Sequence, residues 1–145
     1  MIDYPIFPME DGWMYPKNAT PVKGVLYLAC LSYFSGSKVR FQLEVLPCND
    51  GKALYRKAPS SPSDPAMEVI AFIRVPRSIQ FEKVHNWIYP PDPGSMYLLL
   101  DGEGTYLARC ESFTVTVDGL TVEWVGVIEG MKEPTRYWKI PGSGF

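Results

Sequence analysis

The sequence predicts an all-β protein, a single antiparallel β-barrel or sandwich of about seven to eight strands with extended N- and C-terminal arms. Three observations carry that prediction. Fourteen prolines and 12 glycines are spread through 145 residues, and an interior proline costs a helix about 3 kcal/mol, so few stretches can hold three helical turns. Several short runs alternate apolar and polar residues with the period of a half-buried strand. Gly-Ser and Asp-Gly pairs stand between such runs, where two-residue hairpin loops use them. With 46% hydrophobic and 21% charged residues, a chain of this length buries a core without a disulfide or metal to staple it.

Taken in order, residues 1–21 place Pro5, Pro8, Pro16 and Pro21 among Tyr4, Phe7, Trp13 and Tyr15 and follow neither period. They read as an extended arm, since proline holds the backbone open at little entropic cost and aromatic rings supply docking area. The body spans 22–132. It begins with a hairpin from Val25 to Pro47 that turns at Gly36-Ser37. Pairing Ser35 with Lys38 sets Phe34 opposite Val39, Cys30 opposite Leu43 and Leu28 opposite Val45. One face is then apolar, and Lys38, Arg40, Gln42 and Glu44 face water. Ala58–Ala66 is a proline-serine surface loop, and Met67–Val75 reads as a buried strand. Arg77–Tyr89 fits two patterns, because Phe81, Val84 and Ile88 share a helical face while Ile79 and Phe81 alternate as in a strand. Met96–Asp101 and Thr105–Cys110 form a hairpin around Gly102-Glu103-Gly104. A last hairpin turns at Asp118-Gly119, with Val117 opposite Leu120, Val115 opposite Val122 and Phe113 opposite Trp124. Residues 133–145, with Pro134, Tyr137, Trp138, Pro141 and Phe145, repeat the composition of the first arm as an extended tail.

No chemistry stands out. The opening residues lack the basic segment of a secretory signal, and the longest apolar run, Val25–Leu31, is far below the roughly 20 residues of a membrane helix. A soluble protein with reduced thiols is expected, so the Asn18-Ala19-Thr20 sequon is read as coincidental. Cys30, Cys48 and Cys110 cannot all pair within one chain, and their spacing fits no zinc pattern. A net charge of −2 gives no reason to expect nucleic acid or an anionic membrane as partner. His85 is the only histidine and has no nucleophile motif beside it, so it reads as a structural or surface residue. Cys48 lies in a turn without a cationic neighbour in sequence, which leaves the thiol inert. Asp101-Gly102-Glu103-Gly104 is a hairpin turn and not a calcium loop. No phosphate loop or dinucleotide fingerprint occurs. The expectation is a non-enzymatic protein with no cofactor and no metal.

Function then rests on the arms. Each either packs on its own domain or reaches a neighbouring subunit, and in the second case Tyr4, Phe7, Trp13, Tyr15, Tyr137, Trp138 and Phe145 form the interface. Deleting residues 1–16 is expected to leave a folded body that no longer assembles. The arm from Tyr4-Pro5-Ile6-Phe7-Pro8 to Tyr15-Pro16, the all-β body from Val25 onward and the small number of Asn and Gln residues together resemble the head decoration (cement) proteins of tailed bacteriophages, especially those of thermophilic hosts. That resemblance covers the chain in outline and includes no motif. It implies a thermostable homotrimer on the capsid exterior, near the local three-fold axes, with the major capsid protein as partner. Outside a virus the chain is expected in the cytoplasm. A second class is a soluble inhibitor or immunity-type protein. Asp101–Glu133 holds seven acidic and two basic residues, a charge balance suited to a basic enzyme.

Overall fold

The computed structural model describes residues 5–54, 67–77, 82–83, 91–101, 104–117, 119–126, 134–143 and 145. Among them run the strands β1 (Leu26–Ser35), β2 (Lys38–Pro47), β3 (Met67–Arg74), β4 (Glu82–Lys83), β5 (Met96–Leu100), β6 (Thr105–Thr116), β7 (Gly119–Gly126) and β8 (Arg136–Lys139), preceded by a short 3-10 turn at Met9–Asp11. Every pairing is antiparallel, and the protein is all-β as its sequence predicts. The strands make two open sheets, β2-β1-β3 and β4-β8-β5-β6-β7, and neither closes into a barrel. The chain divides into two compact units, Met1–Val75 with Pro141–Phe145, and Pro76–Ile140. That division falls inside the 22–132 span which the sequence reads as one body.

In the first unit the β1–β2 hairpin has the predicted register, with Ser35 opposite Lys38, Cys30 opposite Leu43 and Leu28 opposite Val45. The water-facing side is shorter than predicted. Tyr27, Leu28, Ala29, Cys30 and Leu31 are all buried, so central strand β1 is covered on both faces. On one of them Tyr27, Ala29, Leu46, Cys48, Leu54 and Phe72 form a core against which Met14, Ala19 and Val25 pack. Residues preceding the strand thus cover the face assigned to water. Lys38 and Arg40 remain exposed, while Gln42 and Glu44 are half-buried and the Gln42 amide donates to the Glu44 carboxylate at 3.0 Å.

The second unit is built on β5, whose Tyr97, Leu98 and Leu99 are buried. Tyr97, Leu99, Ala108 and Cys110 form its core with Val122, Trp124 and Tyr137 against them. The β5–β6 and β6–β7 hairpins both form, but the second has a different register from the one predicted. Val115 faces Leu120, Phe113 faces Val122, and Trp124 faces Cys110 beyond an irregularity between Cys110 and Ser112. A shift of two residues leaves every side chain on its own face, so the alternation in the sequence cannot distinguish the two registers. Arg136–Lys139, read as part of an extended tail, is strand β8 between β4 and β5. Within Arg77–Tyr89 the strand reading holds at Glu82–Lys83; residues 78–81 and 84–89, like the 58–66 loop, lie outside the described residues.

The two units repeat one plan. Pro21-x-x-Gly24-x-x-Tyr27 leads into β1 and Pro91-x-x-Gly94-x-x-Tyr97 into β5. Both glycines have positive φ, 84° and 88°, a conformation that L side chains avoid. The Gly24 N–H donates to the Cys48 carbonyl at 2.8 Å and the Gly94 N–H to the Cys110 carbonyl at 2.7 Å. In return the Cys48 N–H donates to Val25 and the Cys110 N–H to Ser95, each at 3.0 Å. The Tyr27 hydroxyl accepts from the Val22 N–H and the Tyr97 hydroxyl from the Asp92 N–H. Arg74-Val75-Pro76 and Lys139-Ile140-Pro141 end the third strand of each plan, with Val75 donating to Leu26 and Ile140 to Met96. Strand β7 has no counterpart in the first unit, where β2 is the outer strand.

Candidate interaction surface

The predicted interface residues divide into three groups. Tyr4 lies outside the described residues. Phe7, Trp13, Tyr15 and Phe145 come together within the first unit, where Phe7 stands 4.8 Å from Trp13, 6.2 Å from Tyr15 and 5.9 Å from Phe145, centroid to centroid. Trp13 is 1% exposed, and its indole N–H donates to the Pro141 carbonyl at 2.7 Å. Ile6 and Ser143 exchange two backbone hydrogen bonds, as do Met14 and Phe72 on β3. Phe7 and Trp13, expected at an interface, therefore bury within the chain, because the tail and the β3 edge offer both the apolar area and the backbone partners that an extended arm needs. Gly142 is part of the same closure. With φ at 106°, a Cβ there would collide with the Ile6 carbonyl oxygen.

Tyr137 and Trp138 belong to the second unit. They lie on β8, opposite Leu99 and Leu98 respectively, and both are half-buried. Tyr137 meets Tyr97 edge-on at 6.0 Å. They are framework residues of the sheet.

Among the described residues, the cysteines and Asp101 are held by the fold. All three cysteines are free and buried. Burial pushes the Cys30 thiol up to about 12 and also raises Cys110, to which the Asp92 charge adds, so the thiolate that a nucleophile or metal site requires is disfavoured. Cys48, although it sits in a turn, donates to the Ala53 carbonyl at 3.7 Å. Asp101 is buried, and its carboxylate accepts the Gly104 N–H at 2.8 Å, holding the turn between β5 and β6. Among the described residues no three His, Cys, Asp or Glu side chains are grouped to hold a metal ion, and no helix is long and apolar enough to cross a membrane. His85 lies outside the described residues.

Among the described residues, exposed apolar side chains include Ile6, Met9, Val22 and Phe34, and several others share one face of the β6–β7 hairpin. Alternation puts Phe113 and Val115 on the same face as Leu120, Val122 and Trp124, a face continuous with the core at Cys110 and Tyr97. Cover thins along the strands: Trp124 and Val122 are half-buried, Phe113 is 36% exposed, Val115 70%, and Val117 at the turn fully exposed. Clustered apolar exposure of this kind marks interaction sites. The sequence pattern places these residues in the core; the missed signal is that β6 and β7 are longer than the neighbouring β5, which pairs β6 only from Thr105 to Arg109. No protein-family model, curated protein or solved structure matches the chain.

Proposed function

We propose that this protein is a non-enzymatic structural component that associates with further copies of itself and stabilises a larger assembly. Following the resemblance drawn from its arms and composition, that assembly is a bacteriophage capsid, decorated on its outside through contacts with the major capsid protein. The observation that best supports an assembly role is the exposed apolar face of the β6–β7 hairpin, which a protein acting alone would have reason to cover. The buried rings of Phe7 and Trp13 redirect the proposal from the arms to this face.

Light scattering after gel filtration, over a hundredfold range of concentration at low and high salt, tests the reading. An oligomer that persists at high salt is expected, because apolar contacts are not screened. A monomer throughout overturns self-association, and capture of a basic protein that weakens with salt would support the inhibitor reading in its place.

A further inference from the structure

We infer that β7 is a pairing edge for a second copy of this chain, the two β7 strands running antiparallel about a two-fold axis at Val122; the inference rests on the self-associating role proposed above. The first observation is the comparison between the two units. Unit 1 completes the shared plan with β2 outermost, whereas in unit 2 the strand equivalent to β2 is covered by an additional strand, β7. The plan therefore closes without β7. The second observation concerns how the outer strands are guarded. Single edges are kept single by charged side chains and proline, and β2 carries Lys38, Arg40 and Pro47. Gly119–Gly126 contains no Lys, Arg or Pro and a single charge, Glu123, and among the described residues no strand pairs with its outer side.

The occupant follows from the strand's own sequence. Directly opposed residues of an antiparallel pair point to the same face, so registers that keep the apolar sides of two copies together have one residue facing its own copy. The two longest overlaps centre on Val122 and on Glu123. Centring on Glu123 sets like charges directly opposite, which is unfavourable. Centring on Val122 sets Leu120 opposite Trp124, Thr121 opposite Glu123 and Gly119 opposite Val125, with the one charge of the strand facing a hydroxyl. That pair joins the sheets of two copies and brings Phe113, Val115, Leu120 and Val122 of each onto one continuous apolar side. Its two-fold symmetry differs from the trimer that the resemblance implies, and the measured mass decides between them.

Thr121 and Glu123 are exposed, so both can be exchanged without disturbing the core, and circular dichroism confirms the fold of each variant. Thr121→Glu places a second carboxylate opposite Glu123, twice in each dimer, and the dissociation constant is expected to rise about tenfold or more. Adding Glu123→Lys then sets opposite charges face to face and restores the dimer. The wild-type mass is expected at twice that of the chain. An oligomer that Thr121→Glu leaves unchanged, a loss that Glu123→Lys does not restore, or a mass of three chains overturns the β7 pair while self-association stands. A monomeric wild type overturns both.

Discussion

Replacing Trp13 by alanine tests whether the N-terminal arm belongs to the fold of its own chain. The side chain is 1% exposed, touches the rings of Phe7 and Phe145 and donates to Pro141, so the substitution empties a large site and strands a carbonyl. Truncations of this kind cost about 3–5 kcal/mol. A unit the size of Met1–Val75 with Pro141–Phe145 has a total stability of about 4–12 kcal/mol at ordinary values per residue. The variant therefore loses much of the stability of that unit. At about 4–8 °C per kcal/mol for a body of this size, its melting temperature falls by at least ~12 °C. Calorimetry and urea titration followed by circular dichroism read both quantities, and Trp13→Phe should lie between the variant and the wild type. A loss below ~1 kcal/mol would refute the reasoning. So would a loss that depends on protein concentration, since that dependence marks an arm docked on a neighbouring chain. The same geometry reverses the expectation for deleting residues 1–16: the deletion removes Phe7, Trp13 and Met14, and the first unit should unfold with it.

Three further outcomes follow from the same structure. Gly142→Ala should cost about 1–3 kcal/mol, because alanine is strained at φ 106° and its methyl meets the Ile6 carbonyl; an unchanged urea midpoint would count against the Ile6–Ser143 closure. Tyr27→Phe and Tyr97→Phe each remove the acceptor of an equivalent loop N–H and should each lose about 1 kcal/mol, whereas a large loss from one and none from the other would contradict the repeated plan. Stability should fall at alkaline pH. Cys30 rises from 9.0 to about 12 in the fold, and Cys110 and Tyr97 shift the same way through burial, so above pH 9 the unfolded chain gives up protons that the folded one keeps. Lys139, raised chiefly by its bond to Asp92, loses that contribution in the same direction as it titrates above 10.5. A urea midpoint that stays level from about pH 8 to about pH 11 would refute this.

The β1–β2 hairpin was legible to the residue because Gly36-Ser37 fixes a two-residue turn and one face is apolar from Phe34 to Leu28. The β6–β7 hairpin was legible as an element but not in register, since its runs of Val and Thr alternate equally well when displaced by two. Strand β8 was hidden for another reason. Arg136–Lys139 is half-buried or exposed throughout and owes its place to β5 beside it, a long-range partner that no local pattern displays. The most informative signal in the sequence was the recurrence of Pro-x-x-Gly-x-x-Tyr, seventy residues apart, with basic-branched-proline closing each unit. Both copies are short and separated by unlike segments, so they carry meaning only when the hydrogen bonds of Gly24 and Gly94, Tyr27 and Tyr97 are compared. For the candidate site, the sequence marks the aromatic residues of the arms as docking groups, and what composition could not show is that Phe7 and Trp13 bury within their own chain while Tyr137 and Trp138 belong to a strand.

That burial changes the argument about assembly. Proline and aromatic residues make an arm ready to dock wherever apolar area and backbone partners coincide, and within this chain they coincide at the β3 edge and the tail. Phe7, Trp13 and Phe145 are packed together within the chain and Met14 pairs with Phe72 at the outer side of β3, which covers an edge that would otherwise recruit a neighbour, while Ile6 and Met9 stay exposed. The second unit has the opposite balance. Its sheet stops on one side at the two-residue strand β4 and on the other at β7, which has no lysine, arginine or proline and, among the described residues, no strand on its outer side, next to the exposed apolar residues Phe113, Val115 and Val117. Of the four edge strands, β2 carries charge and proline, β3 meets an arm, β4 is two residues long and β7 carries the single charge Glu123, so protection is uneven. The long edge with the fewest guards, β7, is therefore where we propose that the assembly contact forms.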